Sequence, residues 1–162
     1  MCHIELHGQE CVLEFAALRW PVSGFDSAAW PTAPGSVVRD ATSRTCLLHF
    51  APGRWLAPNP TNEMLLQLDS AARAGSGVKL DVTGKWERIS ITGPASTRLL
   101  ASAIGINALL AGRDCAAVTL FDCPAVVGHC NGGFELWLQA SYAVDFLATA
   151  GRFRALLQAA HG

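Results

Sequence analysis

Residues 115–139 read CAAVTLFDCPAVVGHCNGGFELWLQ, and they are the most informative part of the chain about its architecture. It holds three short apolar runs, at residues 115–121, 124–130 and 134–139, which have the length and composition of β-strands. An Asn-Gly-Gly sequence joins the last two runs, and its central positions tolerate the positive φ angles of a tight hairpin. The stretch therefore predicts an antiparallel meander of three strands.

Three helices are predicted around this meander. The first follows Asn59-Pro60, the second begins at Pro94, and the third is capped by Ser141 and continues towards the end of the chain. In each of them apolar residues recur every three or four positions, so one face of the helix can pack on a sheet.

Further strands are predicted earlier in the chain. Residues 11–18 and 45–50 are apolar runs bounded by turn residues. Residues 78–83 and 86–92 alternate apolar and polar side chains, and Gly84-Lys85 between them predicts a hairpin. Because strands and helices mix without strict βαβ alternation, the predicted class is α+β, with about three helices packed on a largely antiparallel sheet.

The domain organisation predicted from the chain length is simple. A chain of 162 residues buries enough apolar surface for one core, so we expect a single domain at residues 1–162. Residues 21–44 are rich in Pro and Gly and predict an irregular excursion rather than a helix. Excursions of this length are usually functional or docked on another surface.

The composition excludes one class of function and points to another. Lys and Arg number 12 against 13 Asp and Glu, and these charges are scattered, which excludes an electrostatic nucleic-acid binder. Only 15% of the residues are charged and the mean hydropathy is +0.27. Ordinary domains carry about 25% charged residues, so we expect part of the apolar surface to lie against a partner.

The sequence also carries information on location. Its longest uncharged stretch, residues 99–112, is shorter than the roughly 20 apolar residues of a membrane-spanning helix. Glu5 and Glu10 lie where a secretory signal would have a cationic end and an apolar run. We therefore expect a cytoplasmic protein, with no membrane or nucleic-acid partner, whose six cysteines stay reduced.

One candidate metal cluster lies at the N-terminus. Cys2, His3, His7 and Cys11 would share a helical face and could bind zinc if this segment were helical. Gly8 and the neighbouring strand pattern argue against such a helix, and a structural role or an irregular terminus is the favoured interpretation. We therefore assign no metal site to the chain.

A second candidate cluster is catalytic. Asp122, Cys123 and His129 could act as orienting group, nucleophile and base if a hairpin brought them together, but the first two are read more simply as part of a turn. A reactive cysteine needs an electropositive site, and nothing basic lies near this one in sequence. His49 is interpreted as a hydrogen-bonded core or edge residue. The chain has no phosphate-binding loop or dinucleotide fingerprint, so we assign no catalytic or cofactor-binding residue.

Three tryptophans are candidates for a partner interface. Strand alternation places Trp86 and Trp137 on otherwise polar faces, which need a cover from the helix at 141–160 or from a partner subunit. Trp55, beside Arg54 in the loop-like stretch at residues 51–58, has the least reason to be buried within the chain. Because aromatic anchors dominate interface energetics, Arg54, Trp55, Trp86 and Trp137 are the predicted interface residues.

Four blocks together resemble a known family. They are residues 49–56 (HFAPGRWL), 80–94 (LDVTGKWERISITGP), 113–124 (RDCAAVTLFDCP) and 134–146 (FELWLQASYAVDF). Read together, they look like the gamma subunit of bacterial heterotetrameric sarcosine oxidase. The resemblance implies a fold related to the folate-binding fold of the glycine-cleavage aminomethyltransferase.

The resemblance also implies which subunits of the complex bind cofactors and which do not. This chain would be a non-catalytic accessory subunit of a complex that oxidatively demethylates an N-methyl amine. FAD, FMN, NAD and tetrahydrofolate would be bound by its larger flavoprotein and folate-binding partner subunits. Three alternatives stay open: a subunit of N-methylglutamate dehydrogenase, a stand-alone folate-binding or one-carbon transfer protein, and an unrelated interaction domain. Fold kinship alone does not distinguish them.

Overall fold

The computed structural model describes residues 2–8, 10–17, 30–39, 46–106, 110–130 and 132–159. The chain divides into two compact units, the first formed by Met1–Gln9 and Lys85–Gly162 and the second by Glu10–Gly84. The described residues form two five-stranded antiparallel sheets with three α-helices, which confirms the predicted α+β class. The single domain at residues 1–162 stays a prediction.

The elements are numbered in chain order. The strands are β1 (His3–Leu6), β2 (Val12–Ala17), β3 (Val37–Arg39), β4 (Cys46–Ala51), β5 (Arg54–Pro58), β6 (Gly77–Asp81), β7 (Trp86–Thr92), β8 (Cys115–Leu120), β9 (Cys123–Cys130) and β10 (Gly133–Gln139). The helices are α1 (Asn62–Arg73), α2 (Ser96–Ala101) and α3 (Ala143–Ala159), and a 3₁₀ turn at Ala140–Tyr142 leads into α3. No helix in these described ranges is both long and apolar enough to cross a membrane.

The sheet of the first unit has the strand order β1-β7-β10-β9-β8. Its β8, β9 and β10 form the predicted antiparallel meander. The turn between β8 and β9 lies at Phe121 and Asp122, whose φ angles of 48° and 64° are those of a tight two-residue hairpin. Cys123 already belongs to β9, where it pairs with Leu120, so the turn comes one residue earlier than the sequence suggested.

The core of the first unit lies on one face of this sheet. Alternate β10 residues, Phe134, Leu136 and Leu138, point into it. Helix α3 covers the same face through Phe146 and Ala150, as its helical spacing predicted. The opposite face of β10 carries Glu135, Trp137 and Gln139, by alternation.

The sheet of the second unit has the order β3-β4-β5-β2-β6, and it corrects one prediction. The hairpin expected over residues 78–92 does not form, because β6 pairs with β2 and β7 belongs to the other sheet. The Val82 N–H donates to the Val12 carbonyl at 2.9 Å, and the Val12 N–H donates to Thr83 Oγ1 at 3.1 Å. These two hydrogen bonds keep the chain beside β2 as far as Thr83, beyond the last residue of β6. The alternation of apolar and polar side chains predicted both strands correctly, but it contains no information on which strands they pair with.

Helix α1 closes the core of the second unit. It begins as predicted after Asn59-Pro60, where Thr61 Oγ1 accepts a hydrogen bond from the Met64 N–H at 3.3 Å. Leu68 and Ala71 then pack on the sheet. Within the predicted irregular excursion at 21–44, the described residues 30–39 include the short strand β3, and the remainder of the excursion lies outside the described residues.

Candidate functional site

Trp55 lies at the centre of an aromatic cluster in the second unit. The stretch around it is not a loop: residues 54–58 form β5, paired with both β2 and β4. Its side chain is 0% exposed, and the indole N–H donates to the Pro31 carbonyl at 3.1 Å. Pro31 belongs to the excursion, so the excursion supplies the partner that the sequence did not reveal. A place for Trp55 in a partner interface stays a prediction.

The cluster around Trp55 contains three further rings. The Phe15 and Trp30 centroids lie 6.0 and 6.3 Å from that of Trp55. The His49 imidazole stacks on it at 4.3 Å and 19°. Burial lowers the pKa of His49, and weaker hydrogen bonding to the backbone at Pro31 opposes the shift. His49 is therefore neutral near pH 7 and serves the core, as its strand position suggested.

Arg54 points away from this cluster. Strand alternation sends its side chain to the other face of the sheet from Trp55. There its guanidinium pairs with the buried carboxylate of Glu14 and lies 5.1 Å from the centroid of the Phe50 ring. Although they are sequence neighbours, Arg54 and Trp55 do not form one surface patch. The role of Arg54 towards a partner stays a prediction.

Trp86 and Trp137 lie together in the first unit. Trp137 pairs with Arg88, so Trp86 is its diagonal neighbour on the same sheet face. The two indoles are 8% and 1% exposed. Helix α3 was one proposed cover for them, and that alternative is wrong because α3 packs on the opposite face. Their role in a partner interface stays a prediction, and their burial leaves little indole surface for one.

An ion pair lies next to these tryptophans on the same sheet face. Arg88 Nη2 is 2.7 Å from Glu135 Oε1, and both side chains are largely buried. A pair in this position is a strong charge-assisted hydrogen bond between neighbouring strands. It accounts for the polar residues on a sheet face that also carries buried tryptophans.

The N-terminal residues do not form a metal site in the described structure. Cys2 is buried in the core of the first unit, whereas Cys11 is exposed and belongs to the second unit. His7 Nε2 lies 3.0 Å from Ser90 Oγ, so its ring takes part in strand contacts. Across the described ranges, no three His, Cys, Asp or Glu side chains could hold a metal ion together.

His129 is kept apart from Asp122 and Cys123. Cys123 and His129 lie at opposite ends of β9, separated by about 20 Å at the usual rise of a strand. Burial raises the pKa of the Cys123 thiol, with smaller contributions from Asp145 and Asp122. A thiol in this environment is a poor nucleophile, so the geometry does not support the catalytic alternative.

The sequence did not reveal a small groove at the start of α1. Its volume is about 210 Å³, and it is lined by Trp30, Val38, Arg39, Thr61, Glu63, Met64 and Gln67. Trp30 Nε1 donates a hydrogen bond to Gln67 Oε1 and so ties the excursion to the helix. The groove is smaller than the roughly 300–1,000 Å³ of pockets that enclose drug-sized ligands. Three of its residues come from the excursion, whose path no periodicity predicts.

Comparison with known proteins supports the fold. No protein-family model and no curated protein matches this sequence. A solved structure is similar: a chain of the heterotetrameric sarcosine oxidase from Corynebacterium sp. U-96, determined in complex with pyrrole 2-carboxylate. The TM-score is 0.76 at 18% sequence identity, and the match covers 95% of this chain and 84% of that chain. This protein therefore shares its fold, nearly from end to end, with one chain of a heterotetrameric sarcosine oxidase.

Proposed function

We propose that this chain is an accessory subunit, of the gamma type, in a hetero-oligomeric, flavin-dependent complex of the sarcosine oxidase kind. The observation that carries the proposal is the fold match to a chain of similar length in such a complex. The four sequence blocks that resemble the gamma subunit support the same assignment independently of the coordinates. The complex would oxidise an N-methyl amine and pass the one-carbon unit to tetrahydrofolate.

The interior of the chain is consistent with an accessory role. Both cores are filled by apolar and aromatic side chains, and Arg88 and Glu135 neutralise each other. The groove at α1 is too small for a dinucleotide or a folate. We propose that FAD, FMN, NAD and tetrahydrofolate are bound by the larger subunits and that this chain stabilises or shapes one of them.

Purification from the native host tests this proposal. A tagged chain, expressed at its natural level, should bring down a flavoprotein in fixed stoichiometry, identified by flavin absorbance and mass spectrometry. The complex should oxidise an N-methyl amine, whereas the isolated chain should not. A chain that purifies alone under gentle conditions would contradict the proposal.

The amine substrate is a separate question. The proposed accessory role does not fix the substrate, because N-methylglutamate dehydrogenase contains the same type of subunit. Assaying the purified complex with sarcosine and with N-methylglutamate distinguishes the two. Calorimetric titration of the isolated chain with tetrahydrofolate tests the stand-alone alternative, and saturable binding would favour it over an accessory role.

A further inference from the structure

The sheet of the second unit ends in an open edge at β6. Within the described residues, β6 pairs with β2 and with no other strand. Two large apolar side chains of β6 are exposed: Val78 and Leu80, at 46% and 50%. They share the sheet face opposite α1, because the residue between them, Lys79, pairs with Asp69 of α1.

The backbone of β6 has hydrogen-bonding groups directed outwards. The bond from the Val82 N–H to the Val12 carbonyl fixes which residues face β2, because hydrogen-bonded pairs alternate along an antiparallel ladder. Leu80 and Val78 therefore bond towards β2. The N–H and C=O groups of Gly77, Lys79 and Asp81 point to the open side. A further strand added at this edge could form hydrogen bonds with each of these three residues, because each offers one donor and one acceptor.

The charge that normally protects such an edge is already paired. Natural proteins often place lysines on edge strands to discourage pairing with other chains. Here the Lys79 ammonium binds the Asp69 carboxylate of the same chain. The β6 edge therefore combines exposed apolar side chains with a neutralised lysine, which favours pairing.

We propose that β6 is the interface through which two copies of this chain associate, antiparallel, about a two-fold axis at Lys79. In this register Val78 lies opposite Leu80 of the second copy, Gly77 opposite Asp81, and Lys79 opposite its own equivalent. The outward groups then form six hydrogen bonds across the axis. Val78 and Leu80 meet as a non-hydrogen-bonded pair, the type in which side chains approach most closely. The two sheets join into one of ten strands.

A second copy fits this edge because the strand is complementary to itself. Its apolar positions, 78 and 80, are symmetric about residue 79, as a two-fold axis requires. The two Lys79–Asp69 pairs meet at the axis with zero net charge, and Asp81 faces a glycine instead of a like charge. The contact is small against the ~800 Å² per partner of a standard interface, so we expect reversible association.

Cysteine cross-linking tests the register in the full-length chain. Directly opposed Cα atoms of a hydrogen-bonded pair lie about 5.5 Å apart, within the range that a disulfide spans. Lys79→Cys should therefore give a disulfide-linked dimer under mild oxidation. Val78→Cys alone should not form this disulfide, because Val78 of the second copy lies further along the strand and not directly opposite. The double variant Val78→Cys, Leu80→Cys should form it, because each new cysteine then lies opposite one of the second copy. The wild-type chain, with its exposed Cys11, gives the background.

Sedimentation equilibrium tests the association without new cysteines. Leu80→Lys should raise the dimer dissociation constant at least about tenfold, because each dimer would bring two ammonium groups into the apolar contact. Leu156→Lys, at an exposed leucine of α3 in the other unit, is the matched control and should leave the constant unchanged.

Three results would overturn the proposal. A wild-type chain that is monomeric at every accessible concentration excludes the dimer, and cross-linking at position 79 no stronger than background excludes the register. A monomeric chain whose Leu80→Lys variant loses its flavoprotein would assign the edge to that subunit instead of a second copy. The β6 dimer does not rest on the accessory-subunit function, so an experiment can refute one of these two proposals without refuting the other.

Discussion

Replacing Trp55 with alanine distinguishes a core residue from an interface anchor. The change removes a fully buried indole from among Phe15, Trp30 and His49, and truncating a buried aromatic side chain to alanine costs about 3–5 kcal/mol. It also leaves the Pro31 carbonyl without the indole N–H, which adds about 1 kcal/mol. We expect the free energy of unfolding to fall by about 5 kcal/mol, a large part of the roughly 5–15 kcal/mol of a typical domain.

The assay is urea unfolding of the purified chain, followed by circular dichroism. Trp55→Phe is the milder variant and should lose about 1–2 kcal/mol, because the phenyl ring keeps part of the packing but not the hydrogen bond. Tyr142→Ala, at an exposed aromatic residue, is the control and should change stability by less than about 0.5 kcal/mol. If Trp55→Ala were as stable as the wild type but failed to assemble with the flavoprotein, Trp55 would be an anchor and the core argument would be refuted.

Three further predictions concern charge and cysteine chemistry. Because burial lowers the pKa of His49, the unfolded chain takes up a proton before the folded chain does, so stability should fall as the pH drops below about 6.5; His49→Phe should lose less stability over the same pH range in matched urea titrations. Arg88→Met should cost about 3 kcal/mol by leaving Glu135 buried without its cation, and Arg88→Met combined with Glu135→Leu should recover much of that loss; an Arg88→Met variant as stable as the wild type would show that the pair contributes little. Thiol titration of the denatured chain, purified without reductant, should find all six cysteines free, and two thiols that appear only after reduction would contradict the expected reducing compartment.

Local sequence patterns predicted the elements better than their partners. The meander of β8, β9 and β10 followed from three short apolar runs and an Asn-Gly-Gly turn, because hairpin pairing is decided within a few residues. The pairing of β6 with β2 depends on bonds made by Val12 and Thr83, far apart in sequence, and alternation in residues 78–92 could not reveal it.

The candidate site shows the same limit. Strand alternation predicted that Trp86 and Trp137 need a cover, and both are buried. The prediction of a loop around Trp55 was wrong, and its hydrogen-bond partner, Pro31, lies in the irregular excursion, where the sequence could not reveal it. A contact between a strand and an irregular excursion produces no periodic pattern in the sequence. The aromatic cluster and the groove beside it could therefore be found only from the structure.

The bond between Val12 and Val82 has a consequence for the order of folding. Leu6 and Ile89 are paired neighbours of β1 and β7, although the whole second unit lies between them in the chain. Closing so long a loop while it is unfolded has a high entropic cost. Once the second unit has folded, its first and last strands are joined at Val12 and Val82, and the remaining loop is only a few residues long. We therefore expect the inserted unit to fold first and β1 to pair with β7 afterwards. In hydrogen exchange during refolding, the amides of β2 and β6 should then become protected before those of β1.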